Sequence, residues 1–113
     1  RKLVVTHPEW WVVDMRIEEQ KKIVKDYDVL LERCYAQNMG GGQYKSNLPE
    51  NLEVINEVGY KNVLISTDGG QTENPHWELA MQEYLQYLSD HGIPDEQIYY
   101  MSHTIAAGLL GIE

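Results

Sequence analysis

The sequence predicts an α/β protein made of consecutive βα units with parallel strands, and two observations predict it. Short apolar, β-branched runs start near positions 3, 29 and 62, a separation that matches repeated βα units. Stretches with helical spacing of apolar residues lie between and after these runs.

Each element has a local reason. Leu3-Val4-Val5-Thr6 is a continuous apolar run ending at His7-Pro8 and reads as a strand buried on both faces. From about Arg16 to Asp26 the spacing of Ile17, Gln20, Ile23 and Val24 predicts a helix, with Asp14 as its cap. Val29 to Tyr35 reads as the second strand, followed by a loop whose tip is Gly40-Gly41-Gly42. Pro49 suits the first turn of a helix over about 49–58, which carries Leu52, Ile55 and Val58 on one face and stops at Gly59.

The third strand, Asn62 to Thr67, is bounded by Gly59 and by Asp68-Gly69-Gly70. Asn74-Pro75 opens a long helix in which Trp77, Met81, Tyr84, Leu85 and Leu88 share a face until Gly92. Pro94 starts a short helix, and Ser102 caps another that carries Ile105, Ala106, Leu109 and Leu110 before Gly111.

Composition narrows the partners. The 113 residues include 9 Lys+Arg against 18 Asp+Glu, a net charge of −9, with 42% apolar residues. That apolar fraction suffices for one packed domain and argues against disorder. An acidic surface without a basic cluster repels phosphate, so nucleic acid and membrane surfaces are not expected partners. No apolar run approaches the ~20 residues that span a bilayer. Cys34, the one cysteine, cannot form an internal bridge, which favours a reducing, cytoplasmic compartment.

In parallel α/β architectures ligands bind outside the carboxyl ends of the strands, so the strand exits are the first candidates. Two carry chemistry, His7 and Asp68. Imidazole and carboxylate are the usual ligands of Zn²⁺ or a similar divalent ion, and a carboxylate beside metal-bound water also serves as general base. A strand-end Asp is equally a helix cap or turn former, so spacing alone leaves both readings open.

The stretch Val63-Leu64-Ile65-Ser66-Thr67-Asp68-Gly69-Gly70-Gln71, followed by Asn74-Pro75 and a long amphipathic helix, resembles the last barrel strand of metal-dependent hydrolases of the amidohydrolase superfamily. The ending from Met101 to Ile112 resembles their closing helix, with His103 where the usual Asn-Pro region stands. The resemblance implies that the chain is the C-terminal part of a TIM (β/α)₈ barrel, strands six to eight. It implies that His7 is a metal ligand and that Asp68 is both a ligand and the catalytic acceptor of the water proton. The implied cofactor is a divalent metal, zinc first, and the implied substrate a small molecule with an amide, ester or similar bond.

The family's ligands on strands one, four and five would lie N-terminal to Arg1. The absent initiator Met fits a truncated chain, expected to be inactive alone and to associate with itself or with its missing N-terminal part. A small standalone domain with an incomplete metal site, or a non-catalytic flavodoxin-like domain in which Asp68-Gly69-Gly70 is only a turn, is the competing expectation.

Around these two residues, Trp10 and Trp11 suit either the walls of a substrate pocket or a core plug. His76 begins the helix that follows Asp68 and lines the same mouth or stays on the surface, and Gln71 belongs to the Asp68 motif. Trp10, Trp11, Gln71 and His76 are the substrate-binding candidates. Glu32 orients a ligand or pairs with Arg33 or a nearby Lys, and pairing is favoured. Gly40-Gly41-Gly42 with Lys45-Ser46 is not a P-loop, because Tyr44 stands where Gly must precede the Lys, and a lid is the better reading.

Overall fold

Val29–Cys34 forms strand β2, and five of its six residues are buried, with a neighbouring strand on each side. The computed structural model describes residues 3–10, 12–69 and 75–112. Strand β2 lies between Leu3–Thr6 (β1) and Val63–Ser66 (β5) in a three-stranded sheet of order β1-β2-β5, parallel throughout. The register aligns Thr6 with Glu32 and Cys34 with Ser66. The α/β class with parallel strands is therefore observed, and the strands neighbour one another in chain order.

One core holds the layers together. Leu31, Val63 and Ile65 of the sheet pack in one cluster with Val54 and Ile55 from Leu48–Val58 (α2) and with Tyr84 and Leu88 from Trp77–Asp90 (α3). Met101 of the C-terminal run completes it, and Leu31, Val54, Val63, Tyr84, Leu88 and Met101 are all 0% exposed. Each such side chain contributes about 1.5–3 kcal/mol relative to exposure.

Five expectations need correction. Strand β1 is not buried on both faces: Leu3 is 70% and Val4 39% exposed, because β1 is an edge strand of the described sheet. Asp14 does not cap the helix Ile17–Asp26 (α1); Arg16 is the N-cap residue, and its N–H donates to the Glu19 carboxylate at 2.8 Å. The second strand ends at Cys34 rather than at Tyr35, which lies between it and the next strand.

The expected glycine loop is an antiparallel hairpin, Ala36–Gly40 (β3) with Gln43–Ser46 (β4). Gly41 and Gly42 both have positive φ (62° and 77°), as the turns that match strand twist require. Finally, Ser102 caps nothing. Asp95–Tyr99 (α4), a π turn over Tyr100–Thr104 and Ile105–Leu110 (α5) run on without a break, and the Ser102 hydroxyl bonds back to the Ile98 carbonyl at 2.8 Å.

Helix α3 starts at Trp77 with His76 as its N-cap residue; the expected cap, Asn74, lies outside the described residues. Among the described residues no helix is long and apolar enough to cross a membrane.

Candidate functional site

The exits of β1 and β5 share an unusual backbone. His7 (φ 30°) and Asp68 (φ 50°) stand directly beyond or within two residues of a strand end, and both are non-glycine residues in the left-handed region. Only Asp14 among the other described non-glycine residues shares this property. L-residues hold such a conformation at a cost of roughly 1–2 kcal/mol, least for Asp, and they persist only where surrounding structure fixes them.

The structure shows what does the fixing. The His7 N–H donates to the Glu32 carbonyl at 2.9 Å, continuing the β1–β2 ladder one residue past the strand, and the His7 carbonyl accepts from Trp10 N–H at 3.1 Å. The rings of His7 and Trp10 meet edge to face at 5.0 Å. On the other exit, Gly69 lies so close to the start of α3 that a Cβ there would stand 3.2 Å from Trp77 Cβ. A side chain there would require Trp77 or Thr67 to give by a few tenths of an ångström.

The His7 ring carries an orphan. Its Nδ1 is buried and has no hydrogen-bond partner. Such an atom leaves part of the ring's bonding capacity unused, which suits a ring offered to an incoming cation. Between the two exits, Glu32 accepts from the Thr6 hydroxyl at 3.1 Å, so it pairs with a neighbouring strand rather than with Arg33. Cys34 is 1% exposed, with its Sγ 3.4 Å from Ser66 Oγ. Burial pushes its thiol up to about 12, and the charges of Glu9, Glu32 and Asp68 push the same way.

The donor types at the exits fit a divalent ion. His7 and Asp68 would hold it, and among the described residues no three His, Cys, Asp or Glu come together as a complete cation site. Of the substrate candidates, Trp10 is half-buried against His7, whereas His76 is exposed and its Nδ1 accepts from Glu78 N–H at 3.4 Å as the helix cap. Trp11 and Gln71 lie outside the described residues.

Sequence reasoning missed the polar network behind this crest. Arg33 is 1% exposed, and its Nη1 lies 3.3 Å from Glu9 Oε1, Glu9 being two residues beyond His7. Its Nε donates to Asn51 Oδ1 at 2.8 Å and its Nη1 to Gln20 Oε1 at 3.1 Å. Asn51 in turn donates to the Cys34 carbonyl at 2.9 Å, Asn47 donates to Glu9 Oε2 at 3.3 Å, and the Tyr84 hydroxyl donates to the Arg33 carbonyl at 3.0 Å. The signal was present as a charge inside an otherwise apolar run, Arg33 in Val29–Cys34. Its consequence is positional: the network ties the His7–Trp10 loop to β2, α1 and α2.

Compared with protein-family models, with curated proteins and with solved structures, the chain matches none of them.

Proposed function

We propose that this chain supplies the last three βα units of a metal-dependent hydrolase barrel of the amidohydrolase type. The observation that carries the reading is the pair of strand exits, where an imidazole with an unpartnered buried nitrogen and a carboxylate are both held in the left-handed backbone region. The parallel strand order β1-β2-β5 is compatible with this reading, and equally with one half of a doubly wound sheet.

In this reading His7 and Asp68 hold a divalent ion, zinc first, and strands upstream of Arg1 supply the other ligands. A bound Zn²⁺ brings the pKa of water toward ~7. The Asp68 carboxylate would accept a proton, and Trp10 would form an apolar wall for a small substrate with an amide, ester or similar bond. The Glu9–Arg33 network keeps the His7 loop in place while this happens. A cytoplasmic setting is part of the proposal and rests on the single reduced thiol of Cys34.

The test is calorimetric titration of the chain with Zn²⁺ and Mn²⁺, alongside Asp68→Asn and His7→Gln. Binding that weakens at least tenfold in each variant, at unchanged melting temperature, supports the reading. Binding indifferent to both substitutions, or none at millimolar metal, favours a non-catalytic α/β domain. In a protein that includes the upstream strands, hydrolysis that survives Asp68→Asn sinks the mechanism.

A further inference from the structure

A concavity lies at the end of the sheet opposite the His7 and Asp68 exits. An open groove of about 490 Å³ is lined by Leu30, the second residue of β2, by Lys61 just ahead of β5, and by Tyr100, Thr104, Ile105 and Leu109 of the C-terminal run. Its size falls within the ~300–1,000 Å³ typical of small-molecule sites. Leu30 and Ile105 give it a buried apolar floor, 2% and 8% exposed, and Tyr100 is held by an edge-to-face contact with Tyr60 at 5.4 Å.

Three features indicate what the groove takes. First, Lys61 is exposed, and among the described residues no carboxylate forms an ion pair with it, although the chain has 18 acidic residues against 9 basic ones. A lone cation beside an apolar floor complements an anion with an apolar tail. Second, the C-terminal helical run widens into a π turn at Tyr100–Thr104, and both end residues of that turn line the groove. Single π turns are rare within α-helices and are frequent at functional sites. Third, Gly108 also lines the groove, and a Cβ built on it would meet nothing within 4 Å. Glycine weakens a helix relative to alanine, so its place here leaves the helix bare where a ligand would lie.

The structure assigns this groove to a medium-chain monocarboxylate. Its alkyl chain lies along Leu30, Ile105 and Leu109, and its carboxylate meets the Lys61 ammonium and the Thr104 hydroxyl. The assignment is independent of the hydrolase reading, since it shares no residue with the strand-exit site.

Isothermal titration of the full chain with hexanoate, octanoate and decanoate tests it, with octanol as the uncharged control. Saturable one-to-one binding is expected, tightening about two- to fourfold per added CH₂. Octanol is expected to bind at least tenfold more weakly than octanoate. Lys61→Glu, a change at an exposed position, should weaken octanoate about tenfold or more. Gly108→Leu puts a side chain into the groove and should abolish binding while the melting temperature holds or rises. Absence of saturable binding, equal affinity for octanol and octanoate, or affinity unchanged in both variants would overturn the assignment.

Discussion

Arg33 Nη1 lies 3.3 Å from Glu9 Oε1, with the two side chains 1% and 5% exposed, so a strand in the middle of the sheet and the loop after its edge strand are joined by a buried ion pair. Removing one partner strands the other charge away from water, which costs about 3–5 kcal/mol. Glu9→Leu and Arg33→Met should each lower stability by roughly that much in urea unfolding. The double variant should regain part of the loss but not all of it, because Gln20 and Asn51 lose the donors that Arg33 gives them. Strictly additive losses would mean that the two groups do not interact.

The same carboxyl sets a pH dependence. Burial raises the Glu9 pKa above its ordinary 4.5, and the nearby Arg33 guanidinium offsets this only in part. The folded state therefore holds this proton more tightly than the unfolded chain. By linkage, the contribution of Glu9 to stability is fully present below pH 4.5 and declines as pH rises from there through its raised folded value. Urea midpoints measured from pH 4 to 7 should fall with pH in the wild type relative to Glu9→Gln. A wild-type curve that rises relative to the variant would show that the Arg33 charge, not desolvation, controls the group.

Backbone strain at the candidate site predicts an order of stabilities. Asp68 at φ 50° occupies a region where glycine pays no steric penalty, Asn and Asp a small one, and alanine about 1–2 kcal/mol. Thermal melts should rank Asp68→Gly and Asp68→Asn near the wild type and Asp68→Ala lowest, by about 1 kcal/mol. The same order should hold at His7 for Gly against Ala, where φ is 30°. If the hydrolase reading is right, the glycine variants keep their stability and lose metal. An alanine variant as stable as the glycine one would remove strain from the argument.

Much of this architecture can be read along the chain, for physical reasons that differ by element. The β5 run and α3 are strongly patterned, since a β-branched stretch and an i, i+4, i+7 stripe admit few alternatives. Helix α2 is equally plain, with Pro49 in its first turn and Gly59 past its end. The hairpin Ala36–Ser46 was not legible, because glycines that make a tight turn between strands look the same as glycines in a loop. Ser102 misled for a related reason: a hydroxyl suits a cap and also satisfies itself inside a helix. The strand exits of His7 and Asp68 followed from chain order, but their left-handed backbone and the orphan His7 Nδ1 are properties of three-dimensional packing. The Glu9–Arg33 pair spans separate elements, which no local pattern reports.

Cys34 gives the prediction that probes the centre of the crest. The thiol is 1% exposed, and burial, with three carboxylates adding to it and Ser66 opposing, pushes it from 9.0 up to about 12. Thiolate is the reactive form, so alkylation by iodoacetamide at pH 8 should proceed only through opening of the fold and should slow in step with any gain in stability. The folded state also keeps this proton over a range where the unfolded chain releases it. Its contribution to stability is therefore present below pH 9 and is lost as pH climbs toward about 12. Urea midpoints at pH 8, 9 and 10 should fall more steeply in the wild type than in Cys34→Ala. The comparison also cancels the neighbouring Tyr35 and Tyr84, whose hydroxyl pKa values burial raises in both proteins. Parallel slopes, or rapid labelling of the folded protein at pH 8, would place the sulfur in contact with water and contradict the buried crest.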